Sequence, residues 1–316
     1  MNRAAALLAA ALLAAMIAAA PAAIVLDQPY LLFLFQQIAI LAIAAVGLNL
    51  VLGYAGLPAF GHAAFVGIGA YTVGIAAAES GGTGLLASGW VQVPLAAVLA
   101  ATIGALIGSV SLRTRGVAFL MITLAFGQML YYGAVSLERY GGDDGMNLVA
   151  PTQFGTFALS RGLGAYVAAL IVLLVALYVS FRLSRSPFGA VLRGAAANER
   201  RMLAVGVSVF RYRVTAFALS GALCGIAGVL AANHSGFVSP ASMGWTRSVE
   251  LAVMVLLGGA GTTFGPLFGA AAFVLLEEAL SGVSEHWRIV FGPLLLLIVI
   301  AAPGGIAGLL GRGRNG

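Results

Sequence analysis

The chain contains no lysine and one cysteine, and only 8% of its 316 residues are charged. Without lysine there is no Gly-x-x-x-x-Gly-Lys-Ser/Thr phosphate loop, so the chain does not hydrolyse ATP by that route. Cys224 cannot form an intrachain disulfide. It stands in an apolar run, where a cysteine behaves as a small buried hydrophobe. His62, His234 and His286 show no metal-ligand spacing, no Ser/His/Asp set is suggested, and no cofactor is implied. Gly141-Gly142-Asp143-Asp144 superficially resembles an aspartyl-protease fragment. It lies in a polar loop with no partner acid in an apolar run, and reads as a solvated turn.

What the chain does have is apolar sequence. Hydrophobic residues make up 61%, against roughly 45–50% in soluble domains. This composition predicts an all-α polytopic membrane protein with one transmembrane domain over residues 1–316. Ten apolar segments fit: 4–26, 31–52, 63–78, 91–112, 116–135, 163–181, 214–232, 249–257, 267–280 and 289–302. The expectation is therefore about ten transmembrane helices, some broken or re-entrant. Segments 63–78 and 249–280 are the irregular ones, because one helix over the latter overshoots a bilayer core of about 30 Å and two halves fall short of it. The N-terminal run resembles a signal peptide, but its 23 residues are long enough to span, which favours an uncleaved first helix.

All 16 basic residues are Arg, set against 10 acids. They are scattered between apolar runs and make no nucleic-acid footprint. With Arg3 inside, twelve Arg fall on the inner side and only Arg139, Arg161, Arg247 and Arg288 on the outer side. This asymmetry follows the positive-inside rule and predicts two cytoplasmic termini.

Residues 47–71, GLNLVLGYAGLPAFGHAAFVGIGAY, interrupt two apolar runs with Gly53, Gly56, Pro58, Gly61 and His62. A helix broken at membrane depth is tolerated only where the freed backbone is packed in protein or lines a cavity, and it marks transport proteins. Leu52-Gly53-Tyr54-Ala55-Gly56 is echoed by Leu257-Gly258-Gly259-Ala260-Gly261, which suggests a two-part architecture. The substrate pathway is accordingly expected at Asn49, Gly53, Gly56, Gly61, His62, Gly258 and Gly261. The N-terminus of the half-helix that begins at His62 would suit a carboxylate. None of the ten acids sits inside a confidently assigned span. Glu250 falls near a span entrance, and Glu277 and Glu278 near a span end. This weakens an ion-coupled carrier, which commonly places ionisable groups inside the bundle.

Loop 182–213 carries 7 of the 16 Arg. Ser186 reads as an N-cap and Pro187 as a first helical residue. Phe188, Val191, Leu192 and Ala195 then share one face, and Gly206 is the expected stop. One reading rests this helix on anionic lipid. The favoured one docks it on a cytoplasmic partner.

Taken in order, these motifs resemble the branched-chain amino acid ABC permeases, in particular the longer of the two paired permease subunits. The resemblance covers 47–71, Tyr140-Gly141-Gly142-Asp143-Asp144-Gly145, Arg185-Ser186-Pro187-Phe188-Gly189, Ala197-Asn198-Glu199, 220–228, Gly236-Phe237-Val238-Ser239-Pro240 and 258–266. It implies a multi-subunit importer in the bacterial inner membrane. That importer has a second related permease, two cytoplasmic ATPase subunits and a periplasmic binding protein. Loop 182–213 becomes the ATPase-coupling segment, with Ser186, Phe188, Leu192, Arg193, Asn198 and Glu199 as its contact residues. The family carries leucine, isoleucine and valine; relatives carry urea, short amides or other amino acids. The chain departs from the family at Leu57-Pro58-Ala59, where a Gln and a Ser are common, and at Arg200-Arg201-Met202.

Overall fold

The computed structural model describes residues 3–25, 28–155, 157–159, 162–282, 289, 291–293, 297 and 304–312. The expected tenth span at 289–302, together with Asp27, Arg161, Glu285, His286, Arg288 and Arg314, lies mostly or wholly outside these residues. The helices are α1 Arg3–Val25, α2 Pro29–Asn49, α3 His62–Ser80, α4 Gly89–Ser111, α5 Val117–Val135 and α6 Leu163–Arg185. They continue as α7 Pro187–Ala197, α8 Glu199–Ala204, α9 Val209–Ser235, α10 Trp245–Gly258, α11 Gly265–Ser281 and α12 Gly305–Arg312.

Six helices among the described residues are long and apolar enough to cross a membrane: Tyr30–Tyr54, which is α2 with its π-helical extension, and α3, α4, α5, α6 and α9. The expected number of about ten is not reached among them. Leu7–Ala19 of α1 makes a shorter apolar helix. The 14 residues of α10 and 17 of α11 reach only roughly 21 and 26 Å at 1.5 Å per residue, short of a bilayer core of about 30 Å.

Helix α9 is the central post, packed against α2, α3 and α4. The abundance of glycine has its physical reason here, because small residues let helix backbones approach closely in a membrane. At Gly69 a Cβ would overlap the carbonyl oxygen of Gly225, and at Gly228 it would overlap that of Val66. Between α5 and α6 lie β1 (Met146–Asn147), β2 (Gln153–Phe154) and β3 (Phe157–Ala158); β1 pairs antiparallel with β4 (Phe237–Val238), which follows α9, and β2 pairs antiparallel with β3. These short ribbons cover the end of the bundle opposite α7. There Glu79 bridges Arg139 at 2.8 Å and accepts a hydrogen bond from Tyr140 at 2.6 Å.

Loop 182–213 folds locally as its sequence dictates. Ser186 Oγ accepts from the Gly189 N–H at 3.4 Å, and Pro187 opens α7. The single helix expected up to Gly206 is instead two. Asn198 leaves the helical region at φ −157°, and its Oδ1 accepts from the Arg201 N–H at 3.0 Å, which starts α8. An Asn side chain that caps competes with helix continuation, hence the break.

Candidate functional site

The predicted interruption of α2 is real and has a defined shape. The helix widens into a π-helical turn, Leu50–Tyr54, and ends at Ala55. Gly56 then adopts φ +66°, a conformation open to glycine, and the chain runs irregularly until α3 restarts at His62. The freed backbone finds partners inside the protein. The Phe60 N–H donates to Thr123 Oγ1 at 3.3 Å, and the Ala63 N–H to Ser248 Oγ at 3.1 Å.

The two echoed glycine segments meet in space, and Asn49 joins them. It is fully buried. Its Nδ2 donates to the Thr262 carbonyl at 2.9 Å, and its Oδ1 accepts from the Gly261 N–H at 2.9 Å. A Cβ on Gly53 would overlap both Asn49 Oδ1 and the Gly261 nitrogen, so only glycine fits at this crossing. Gly258 turns against Gly265 in the same way. Thr262 Oγ1 closes the 259–264 loop by donating to the Gly259 carbonyl at 2.7 Å and accepting from the Gly265 N–H at 3.1 Å.

This junction sits on α7. Leu192, 1% exposed, packs with Leu50, Tyr54, Ala55 and Ala216, with Phe188 against the edge of that cluster. A Cβ on Gly56 would stand 3.0 Å from the Ala196 Cβ. The apolar face of α7 therefore rests on the chain itself, and Ala190, Arg193, Ala197 and Arg200 face outward. Arg193 Nη1 donates to the Ser184 carbonyl at 2.7 Å. Glu199 is held by Arg115 at 3.2 Å and Arg213 at 3.1 Å, so its carboxylate ties α8 to the α4–α5 turn and to α9. A cavity of about 410 Å³ lies between the two segments, lined by Tyr54, Ser184, Arg193, Thr262 and Thr263 among others.

Gly61 meets the Thr123 carbonyl on α5, and His62 is buried between Phe65 at 5.3 Å and Phe217 at 5.5 Å. Neither His62 nitrogen has a hydrogen-bond partner. His62 lines neither this cavity nor the one described next. One N–H of the first turn of α3, that of Ala63, donates to Ser248 Oγ.

Sequence reading missed a second cavity. It holds about 340 Å³ and runs from Phe33, His234 and Ser235 at the end opposite α7 down to Ala44, Ala63 and Met254. Arg247 and Glu250 line it, joined at 2.8 Å. The sequence placed Glu250 near a span entrance. The structure packs this entrance against the head of α3. Ser248, between the two charges, bonds to the start of α3, and α3 in turn starts beside Phe217, eight residues into α9. The missed signal was length: the nine apolar residues of 249–257 are too few to reach a membrane surface from both sides.

The family model for the branched-chain amino acid transport system permease component matches residues 30–300. The branched-chain amino acid permease LivM of Escherichia coli K12 is 32% identical over 288 residues, covering 84% of this chain and 67% of the relative. A probable LivM of Methanocaldococcus jannaschii is 27% identical over 84% of this chain and 89% of its own length. The ribose import permease RbsC of E. coli K12 is 26% identical over 84% and 83%. No solved structure matches. With apolar helices long enough to cross a membrane and a family match across most of its length, the chain is an integral membrane protein of the branched-chain amino acid transport system permease family.

Proposed function

We propose that the chain is one of two transmembrane permease subunits of an ATP-binding cassette importer for branched-chain amino acids. It would work in the bacterial inner membrane with a related second permease, two cytoplasmic ATPase subunits and a periplasmic binding protein. The observation that carries this is the 32% identity to a LivM permease over 84% of the chain. The absence of any lysine-based phosphate loop in the sequence supports placing ATP hydrolysis on partner subunits. On this reading the outward face of α7 and α8 meets the ATPase. The Asn49 junction, with Gly53, Gly56, Gly258 and Gly261, relays its movement to the solute path. Gly61 and His62 serve as packing points at the head of α3.

The test is uptake by vesicles holding the chain with its genomic neighbours. Labelled leucine, isoleucine and valine should enter with ATP inside and the binding protein outside, and entry should survive an uncoupler while ATP is maintained. Collapse with the uncoupler would make the protein an ion-coupled carrier. A second reading, sugar import, is favoured by the similarity to RbsC. Ribose uptake without leucine uptake would establish it.

A further inference from the structure

We propose, resting on the importer reading above, that the 340 Å³ cavity is a transit site for an amino-acid zwitterion. Arg247 receives the α-carboxylate and Glu250 the α-ammonium. Two opposite charges line a cavity whose other walls are mostly apolar helix, and charged groups among apolar helices of a membrane protein commonly mark a solute path. Here they form a pair with no net charge. Arg247 Nη1 already donates to Glu250 Oε2 at 2.8 Å, which leaves the other guanidinium N–H groups and Glu250 Oε1 without a further side-chain partner among the described residues. Their side chains remain 58% and 36% accessible in this chain, so a solute can reach them.

The rest of the cavity matches the other part of such a solute. Below the pair the wall is aliphatic, made by Ile40, Leu41, Ala44, Val66, Leu251 and Met254. Phe33, stacked on His234 at 4.0 Å, forms the rim. A neutral pair of opposite charges beside an apolar floor complements one ammonium, one carboxylate and one branched aliphatic chain. It offers a sugar few places for its ring of hydroxyls. The volume lies at the small end of about 300–1,000 Å³ for small-molecule sites, which suits a single amino acid.

The experiment uses the assembled importer in proteoliposomes. Arg247→Gln and Glu250→Gln, each checked for co-purification of all subunits, should lower leucine uptake at least tenfold. A direct reading comes from Ala231→Cys, a cavity-wall position, in a Cys224→Ala background. Leucine should slow its labelling by a thiol reagent about tenfold. Leucinamide, the 2-hydroxy analogue of leucine and ribose should not. Unchanged labelling with leucine, or equal protection by all four solutes, would overturn the zwitterion site. Normal leucine uptake by both Gln variants would overturn it while leaving the importer reading intact. A wild-type complex that carries no branched-chain amino acid would remove both.

Discussion

Asn49 is the residue on which the junction between the two halves should depend. In Asn49→Leu the side chain keeps its approximate volume and loses both polar atoms. The Gly261 N–H and the Thr262 carbonyl, each bonded to it at 2.9 Å, are then left half-buried and without this partner. An orphaned buried group costs about 1–3 kcal/mol, which would sum to about 2–6. Hydrogen bonds between membrane helices average nearer 0.6 kcal/mol, because the loosened state finds other partners. The second figure is the better guide for a loop that relaxes locally, so we expect a total of about 1–3 kcal/mol. At 1.4 kcal/mol per factor of ten, hydrogen exchange of the Gly261 amide in the purified protein should quicken by about 5- to 140-fold. Uptake by the assembled importer should fall with it. Asn49→Asp keeps the acceptor for Gly261 and loses only the donor to Thr262. Its effect on the Gly261 amide should therefore be the smaller, although its carboxylate now faces a carbonyl. Unchanged exchange at residues 259–264 in Asn49→Leu would refute the claim that this amide clamps the loop.

Four further outcomes are expected. Gly56→Val forces a side chain onto φ +66° and against Ala196; it should depress ATP-driven uptake at least tenfold, and full uptake would show that the break tolerates a Cβ. Leu192→Asp buries a charge in the permease's own cluster and should lower the chain's expression or melting temperature, whereas Ala190→Asp with Arg200→Asp, on the outward face, should leave both intact and abolish ATPase co-purification. Glu199→Gln removes the counter-charge of Arg213, whose side chain is 12% exposed. It should loosen α8, seen as faster proteolysis at Arg200 and Arg201, and wild-type proteolysis would mean the ion pairs hold nothing. Single cysteines replacing Arg193 and Asp143 in a Cys224→Ala background should label from opposite sides of the membrane, Asp143→Cys from outside, and labelling of Arg193→Cys from outside intact cells would overturn the expected topology.

The broken α2, the N-cap at Ser186 and the membrane class were legible because each rests on local chemistry: glycine, proline and capping side chains act within a few residues. The second cap, at Asn198, was passed over because the apolar and charged pattern runs on through it. The echo between 52–56 and 257–261 was legible as similarity, but not as contact. Nothing local in either segment shows that Asn49 reaches across 212 positions to Gly261. The apolar face of α7 was read correctly as a face, yet its occupant depends on tertiary packing, and Leu192 buries itself against Leu50 and Ala216 rather than remaining free for a partner. The greatest loss was depth. A charge is judged by its distance from a span end, and that measure fails when the helix is too short to be a span and its head packs on another helix, as α10 does at Ala63.

That short helix also gives the proposed cavity and the proposed coupling surface a common mechanical element. Its first two turns carry Arg247 and Glu250 and anchor the head of α3 through Ser248. Its last residue, Gly258, turns into the loop that Asn49 grips. Asn49 precedes the π-helical turn whose Leu50 and Tyr54 rest on Leu192 of α7. A 14-residue helix of roughly 21 Å moves as a rod, whereas a full-length span would be fixed at both membrane surfaces. A displacement of α7 by an ATPase would press first on the π-turn, which lacks the regular α-helical hydrogen-bond pattern, and then through the Asn49 amide onto the foot of α10. The head of the same rod would shift the Arg247–Glu250 pair relative to the aliphatic wall contributed by α2. Proteins transmit such movements because packed junctions switch between discrete arrangements rather than deforming smoothly. The glycine crossings at Gly53 and Gly258, too tight for any side chain, are junctions of that kind.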